Sequence, residues 1–215
     1  MKKIMFNEHY GLETATLNGS KTRTSRILKL PKSFKGTNVC GFHKYTNKQG
    51  EWFTSLYDED ERDIDDSYVP FIYSEGEIVA IAQSYEDAGF SPNQICYRYI
   101  ESADGYLKQR FDEQKGWNNK MFVRAEYMPH QIQITDIKLE RLQDISDDDC
   151  LKEGICLLKD DKSINWKYYG VDKRSLNILG YTPKEAFYSL IEKVCGKGTW
   201  RKNTWTVVYY YKLIN

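Results

Sequence analysis

Gly76-Glu77-Ile78-Val79-Ala80-Ile81-Ala82-Gln83 constrains the fold more than any other stretch of the chain. Its five consecutive apolar residues leave no polar face, so it reads as a strand covered on both sides. Three further segments read as strands. They are Met121-Phe122-Val123-Arg124-Ala125-Glu126, the alternating Ile132 to Leu139, and Thr206-Val207-Val208-Tyr209-Tyr210-Tyr211-Lys212-Leu213. Asn47-Lys48-Gln49-Gly50 is placed to turn a β-hairpin.

Helical signals are fewer. Residues 5–18 read as a short helix with Phe6, Tyr10 and Leu17 near one face and Gly19 as its stop. Ser146 followed by Asp147, Asp148 and Asp149 is an N-cap, and Gly154 ends that helix. Thr182-Pro183-Lys184-Glu185 opens a third helix with a cap, a first-position proline and a glutamate at the third position. Phe187, Leu190, Ile191 and Val194 form its apolar stripe, and Gly196 closes it. Strands outnumbering short helices point to an α+β fold built on a small β-barrel with flanking helices.

At roughly 150 residues per domain, 215 residues make one domain with insertions, expected at 37–75, 86–118 and 156–180. Hydrophobic residues make up 40% and charged residues 29%, which supplies a core and excludes wholesale disorder. No apolar run approaches about 18 residues and the first ten residues hold no signal-peptide core, so a cytoplasmic protein with no membrane contact is expected. The five cysteines are scattered without a Cys-x-x-Cys pair, and the three histidines never fall at ligand spacing. Neither a disulfide framework nor a metal site is expected, and no organic cofactor is implied.

The balance of 31 basic and 31 acidic residues hides an asymmetry. Residues 1–48 hold ten Lys or Arg against two acids, residues 49–70 hold eight acids against one base, and the last 23 residues hold five bases and no acid. Two basic ends suit a phosphate-bearing ligand at a localised site, since a neutral protein makes a poor sheath for nucleic acid. The acidic 58–66 segment could instead serve a protein-interaction module as a nucleic-acid mimic. Trp117, Trp200 and Trp205 lie in polar stretches, where a ring can stack a base, although most of the aromatic residues belong to core packing.

Three groups of residues carry candidate chemistry. In Lys21-Thr22-Arg23-Thr24-Ser25-Arg26, three cations and three hydroxyls can hold an anion or a polar ring. An exposed strand edge would show the same composition. Glu153 sits at the negative end of the Ser146 helix, where a carboxylate is disfavoured by roughly 0.3–1 kcal/mol and suits proton transfer. Gln83 and Tyr85 follow the buried strand directly, where barrel strands deliver site residues.

Gly19-x-Lys21-Thr22-x-Thr24-x-Arg26 after a short helix resembles the signature of the ASCH domain, a branch of the PUA-like superfamily. Gly76-Glu77-Ile78-Val79-Ala80-Ile81 resembles the family's Gly-acid-hydrophobic strand. The run from Ile137 to Ser146 and on to Glu153-Gly154-Ile155 resembles a strand and helix of phage- and prophage-borne ASCH proteins. Asn203-Thr204-Trp205-Thr206-Val207 resembles their closing strand, with Thr204 where proline is usual.

The resemblance implies a PUA-like barrel with a cleft beside the first helix. It implies RNA, another nucleic acid or a modified nucleoside as partner. Thr22, Arg23 and Arg26 from the cationic segment, with Gln83 and Tyr85 from the strand end, are the candidates to lie near that ligand. It also implies, as an alternative, an amidohydrolase that removes an acyl group from a cytidine-type base. In that branch of the family a Lys, a Thr and a Glu are functional, and they match Lys21, Thr24 and Glu153. A threonine nucleophile needs a base, which a buried lysine can provide. Lys21 and Thr24 would point to opposite faces of a regular strand, so they converge only where Gly19–Thr22 is irregular.

Overall fold

The computed structural model describes residues 1–49, 52–90, 115–159, 167–171 and 180–214. Gly50, Cys96 and much of the insertions expected at 86–118 and 156–180 lie outside the described residues.

Val79, Ala80 and Ile81 are fully buried in strand β7 (Ile78–Ile81), as their unbroken apolar run requires. Strand β7 lies parallel to β1 (Lys2–Ile4) and antiparallel to β8 (Gln131–Arg141). Beyond β8 come β11 (Trp205–Leu213) and then β2 (Arg23–Ile27), both antiparallel to their neighbours. The main sheet therefore has five strands in the order β1-β7-β8-β11-β2. The mixed α+β architecture stands. The backbone ladder is open, with β1 and β2 as its edges. Arg26 Nη2 on β2 donates to the carbonyl of Met5, just past β1, at 2.7 Å. A side chain thus spans the two edges where main-chain bonds do not.

The chain start departs from the expected helix over 5–18. Residues 2–4 form β1, and helix α1 covers only Leu12–Leu17. Between them a turn forms in which Tyr10 N donates to Asn7 Oδ1 at 3.3 Å and Gly11 takes φ 69°. Phe6, read as a helical residue, packs on Tyr211 from this turn. Gly19 does stop the helix, with φ 77°.

The alternation along β8 breaks once, at Thr135-Asp136, and the ladder to β11 slips at that point, pairing Tyr210 with Asp136 and Tyr211 with Ile134. The bulge keeps Ile132 and Ile134 on the core side as well as Ile137 and Leu139. Each fully buried aliphatic side chain stabilises the fold by about 1.5–3 kcal/mol.

Residues 121–126 are not a strand. They form two 3-10 turns, Lys120–Phe122 and Ala125–Tyr127. Val123 and Ala125 are still buried, in one cluster with Ala80 of β7 and Ala82 just after it. The carbonyls of Met121 and Val123 accept from Lys3 Nζ, each at 2.8 Å. An ammonium takes the place of a neighbouring strand.

Residues 37–75 contain a hairpin of β5 (Gly41–Thr46) and β6 (Trp52–Tyr57), as the turn residues require. Small pairs β3 (Ser33–Phe34) with β4 (Thr37–Asn38) and β9 (Cys156–Lys159) with β10 (Lys167–Gly170) complete the described strands. In the acidic segment, Asp63 accepts from Tyr45 Oη at 2.6 Å and lies 2.9 Å from His43 Nδ1, which ties the segment back to the hairpin.

Helix α2 (Asp147–Lys152) has the expected Ser146 cap, and α3 (Pro183–Cys195) has a full capping box from Thr182 and Glu185. Phe187, Leu190 and Ile191 are buried, but Val194, expected on the same stripe, is 42% exposed. The short helix α4 (Thr199–Lys202) is held by Glu192, whose carboxylate accepts from Gly198 N and Trp200 N. Among the described residues, no helix is long and apolar enough to cross a membrane.

Candidate functional site

The gap between the sheet edges opens into a cavity of about 440 Å³. Met5, Phe6 and Asn7 line it from the β1 side, and Thr24, Ser25 and Arg26 from the β2 side. Helix α3 supplies a third wall through Leu190, Ile191 and Val194, and Lys21 and Glu153 also line it.

Lys21 reaches this place because residues 19–22 are not part of the strand. Lys21 N donates to Ala15 O at 2.8 Å, closing the end of α1, and Thr22 N donates to Lys152 O at 2.9 Å. Regular alternation starts only at Arg23. The irregular approach that Gly19 permits is therefore present, and Lys21 and Thr24 share one cavity.

The Lys21 ammonium is buried and donates three times. Its acceptors are Arg23 O at 2.7 Å, Glu153 O at 2.8 Å and Glu153 Oε2 at 2.6 Å. All three N–H bonds of the charged form are used. Burial pulls the Lys21 pKa below its ordinary value, and the attraction of Glu153 only partly offsets this.

Glu153 is the C-cap of α2 and is 4% exposed, far from the solvent-facing position its sequence context allows. Gly154 turns the chain behind it with φ 98°, a backbone conformation that strains other residues, while the space beside it would admit a methyl group in ordinary contact with Leu12, Ala15 and Lys21. The Glu153 carboxylate receives Lys21 on Oε2 and Ser25 Oγ on Oε1, both at 2.6 Å. Arg23 Nη1 lies 3.8 Å from Oε1. The unfavourable helix end is thus offset by two cations and a hydroxyl.

Among the sequence candidates, Lys21, Thr24, Arg26 and Glu153 come together here. The Thr24 side chain makes no hydrogen bond among the described residues and faces the cavity. Arg26 also lines it, with its guanidinium 6.0 Å from the Phe6 ring centroid.

Arg23 does not line the cavity. It is wholly buried behind it, paired with Glu140 and lying 5.5 Å from the Tyr210 ring. Burial works against its charge, but Glu153 and Glu140 outweigh burial and hold its pKa above the ordinary value. Its Nε and Nη1 make no hydrogen bond. Thr22 spends its backbone on Lys152 and Tyr211 and is not in the wall.

Gln83 and Tyr85 lie elsewhere. Gln83 Nε2 donates to Glu13 Oε1 at 3.2 Å, beside an ion pair between Glu13 and Lys120. Tyr85 is core beneath the 3-10 segment, and its hydroxyl accepts from Arg124 N at 3.1 Å. The strand end does deliver polar residues, but neither Gln83 nor Tyr85 lines the cavity.

Sequence reasoning counted Ser25 among the hydroxyls of the cationic segment but gave no sign that it would hold Glu153. It also read the α3 stripe as core alone, since a cavity wall and a core use the same residue types. Among the described residues no cluster of His, Cys, Asp or Glu could hold a metal ion. Comparison with family models, curated proteins and solved structures finds no match to the chain.

Proposed function

We propose that this chain is an ASCH-type, PUA-like protein whose cavity binds a single modified nucleoside. The gap between β1 and β2 is then the seam of a PUA-like barrel, and the cavity is the cleft beside the first helix. The observation that carries the reading is the buried Lys21–Glu153 pair in the wall of a cavity of about 440 Å³, with Thr24 and Ser25 alongside. That volume is in the range of small-molecule sites. Its charged groups face inward, which suits one nucleoside better than the backbone of a long nucleic acid, whose binding needs an exposed row of cations.

A second reading, hydrolysis of an acyl amide on a cytidine-type base, is favoured by one further observation. The charged Lys21 has no donor to spare, whereas the Thr24 hydroxyl has no partner. Lys21 in its neutral form carries a lone pair that can take the Thr24 proton. The Thr24 oxygen then bonds to the acyl carbon, and the C–N bond breaks as the leaving amine takes a proton through Glu153. Water next cleaves the acyl-threonine ester, releasing a carboxylic acid and restoring the hydroxyl.

The test is chromatography of N4-acetylcytidine incubated with the protein, alongside calorimetric titration of cytidine. Binding of cytidine with a dissociation constant in the micromolar range supports the nucleoside site. Turnover that Thr24→Val abolishes adds hydrolysis. No binding and no turnover by folded protein refutes both.

A further inference from the structure

We propose that the cavity selects amides whose acyl group is an aliphatic chain of several carbons, with the chain lying along α3 and the amide held by Lys21, Thr24 and Glu153. This rests on the hydrolytic reading of the same site and adds the class of substrate. Lys21, Thr24, Ser25 and Glu153 group at one place in the wall, while Asn7, Lys29 and Tyr209 line it elsewhere. Lys21 and Ser25 both hold the Glu153 carboxylate, and Thr24 adjoins Ser25 in the strand. Arg26 is fastened to Met5 O on the other edge.

The remaining wall is largely aliphatic. Leu190, Ile191 and Val194 supply it from α3, and Leu12, Leu28 and Ile72 supply it from other elements. Val194 continues the buried stripe of Phe187, Leu190 and Ile191 at helical spacing, yet it stays 42% exposed at the cavity. An apolar side chain in line with a buried stripe, lining a cavity and left open to water, marks surface that a ligand can cover. Sugar hydroxyls gain nothing from such a wall, so the acyl chain and not the sugar is the part of an acylated nucleoside that suits it. A hydrocarbon chain gains from every methylene it buries there.

An acetyl group would reach little of this wall. Each buried methylene strengthens binding about fourfold, so the gain from acetyl to hexanoyl is on the order of a hundredfold if the chain is wholly covered.

The experiment measures kcat/KM for N4-acetyl-, N4-butanoyl- and N4-hexanoylcytidine. In parallel, ligand-observed NMR follows binding of acetamide, butanamide and hexanamide, which carry no nucleoside. Val194→Asp, at a partly exposed position, is the variant. The expected result is kcat/KM rising about tenfold per two methylenes where the chain is wholly covered, with Val194→Asp lowering the hexanoyl value at least tenfold more than the acetyl value. Turnover of the acetyl compound with flat or falling values for longer chains overturns this inference and leaves the hydrolytic reading in place. No turnover, but amide affinity rising with chain length and weakened by Val194→Asp, supports the aliphatic site and removes the nucleoside. Neither turnover nor chain-length dependence overturns both.

Discussion

Replacing Lys21 by Met tests the buried pair from the side of stability. Methionine fills a similar volume but donates nothing. The change removes one charge-assisted bond to Glu153 Oε2 and two donors to the carbonyls of Arg23 and Glu153. Stranding one member of a buried pair costs about 3–5 kcal/mol. Here the lower end applies, because Glu153 keeps Ser25 at 2.6 Å and has Arg23 within 3.8 Å. Lys21 also brings its own burial penalty, visible in its lowered pKa, and the substitution relieves that. A loss of about 3 kcal/mol corresponds to a fall in Tm of about 6–12 °C for a chain of this size. Urea unfolding followed by tryptophan fluorescence reads the free energy, and calorimetry reads the Tm. The double variant Lys21→Met with Glu153→Met removes both charges and is expected to be more stable than Lys21→Met alone. A loss below about 0.5 kcal/mol for Lys21→Met, or strict additivity in the double variant, would refute the coupling of these two groups.

Other expectations follow from the same geometry. The folded pKa of Lys21 lies below its ordinary 10.5, so the folded state binds fewer protons than the unfolded state between those values. Its contribution to stability is present above pH 10.5 and lost as pH falls through the lowered value, so it rises with pH across that window. The buried tyrosines Tyr73, Tyr209 and Tyr211 have raised pKa values through burial and act with opposite sign, losing stability above about pH 10. The difference between wild type and Lys21→Met, measured by urea midpoints from pH 7 to 10, isolates the lysine and is expected to widen with pH in favour of wild type. Ser146→Ala removes the acceptor for Asp149 N and is expected to cost about 1 kcal/mol by urea unfolding. Because α2 ends on Glu153, it should also weaken ligand binding in a calorimetric titration. Gly180→Ala would drive a methyl group into the backbone of α3 at Ala186, and a loss of about 3 kcal/mol is expected by thermal melting.

Much of the sheet was legible because burial writes itself into composition. Strand β7 has no polar face, and β8 and β11 carry inward residues at near-regular spacing. Both side-chain helix caps were legible too, since Ser146 and Thr182 act on residues three positions away. What escaped notice depends on partners distant in sequence. Strand β1 is three residues long and two of them are lysines, so only its pairing with β7 makes it a strand. Residues 121–126 have the inward pattern of a strand, but their carbonyls bond to Lys3, more than a hundred positions away. Ile132 to Leu139 read as alternating throughout, and only the slip against β11 shows the Thr135-Asp136 step to be a bulge.

The site divides in the same way. Local chemistry singled out the Lys21–Arg26 segment and Glu153, a resemblance narrowed the choice to Lys21, Thr24 and Glu153, and the fold brings all three to one cavity. Local composition favoured an exposed strand edge for the first two and a solvated surface for Glu153. It gave no sign that 132 positions of chain separate two members of one buried ion pair. Gln83 was placed by its strand and not by its partner Glu13, which it bonds outside the cavity wall. The dual use of the α3 stripe, as core at Phe187 and as cavity wall at Val194, cannot be separated by periodicity.

The most direct measurement is a crystal structure of the Thr24→Val variant soaked in N4-acetylcytidine. The account predicts the nucleoside between the two sheet edges and α3, with its acyl carbon about 3–4 Å from the residue 24 side chain and its amide beside Lys21 and Glu153. A cavity empty at saturating ligand, or a nucleoside bound on another face, would contradict it.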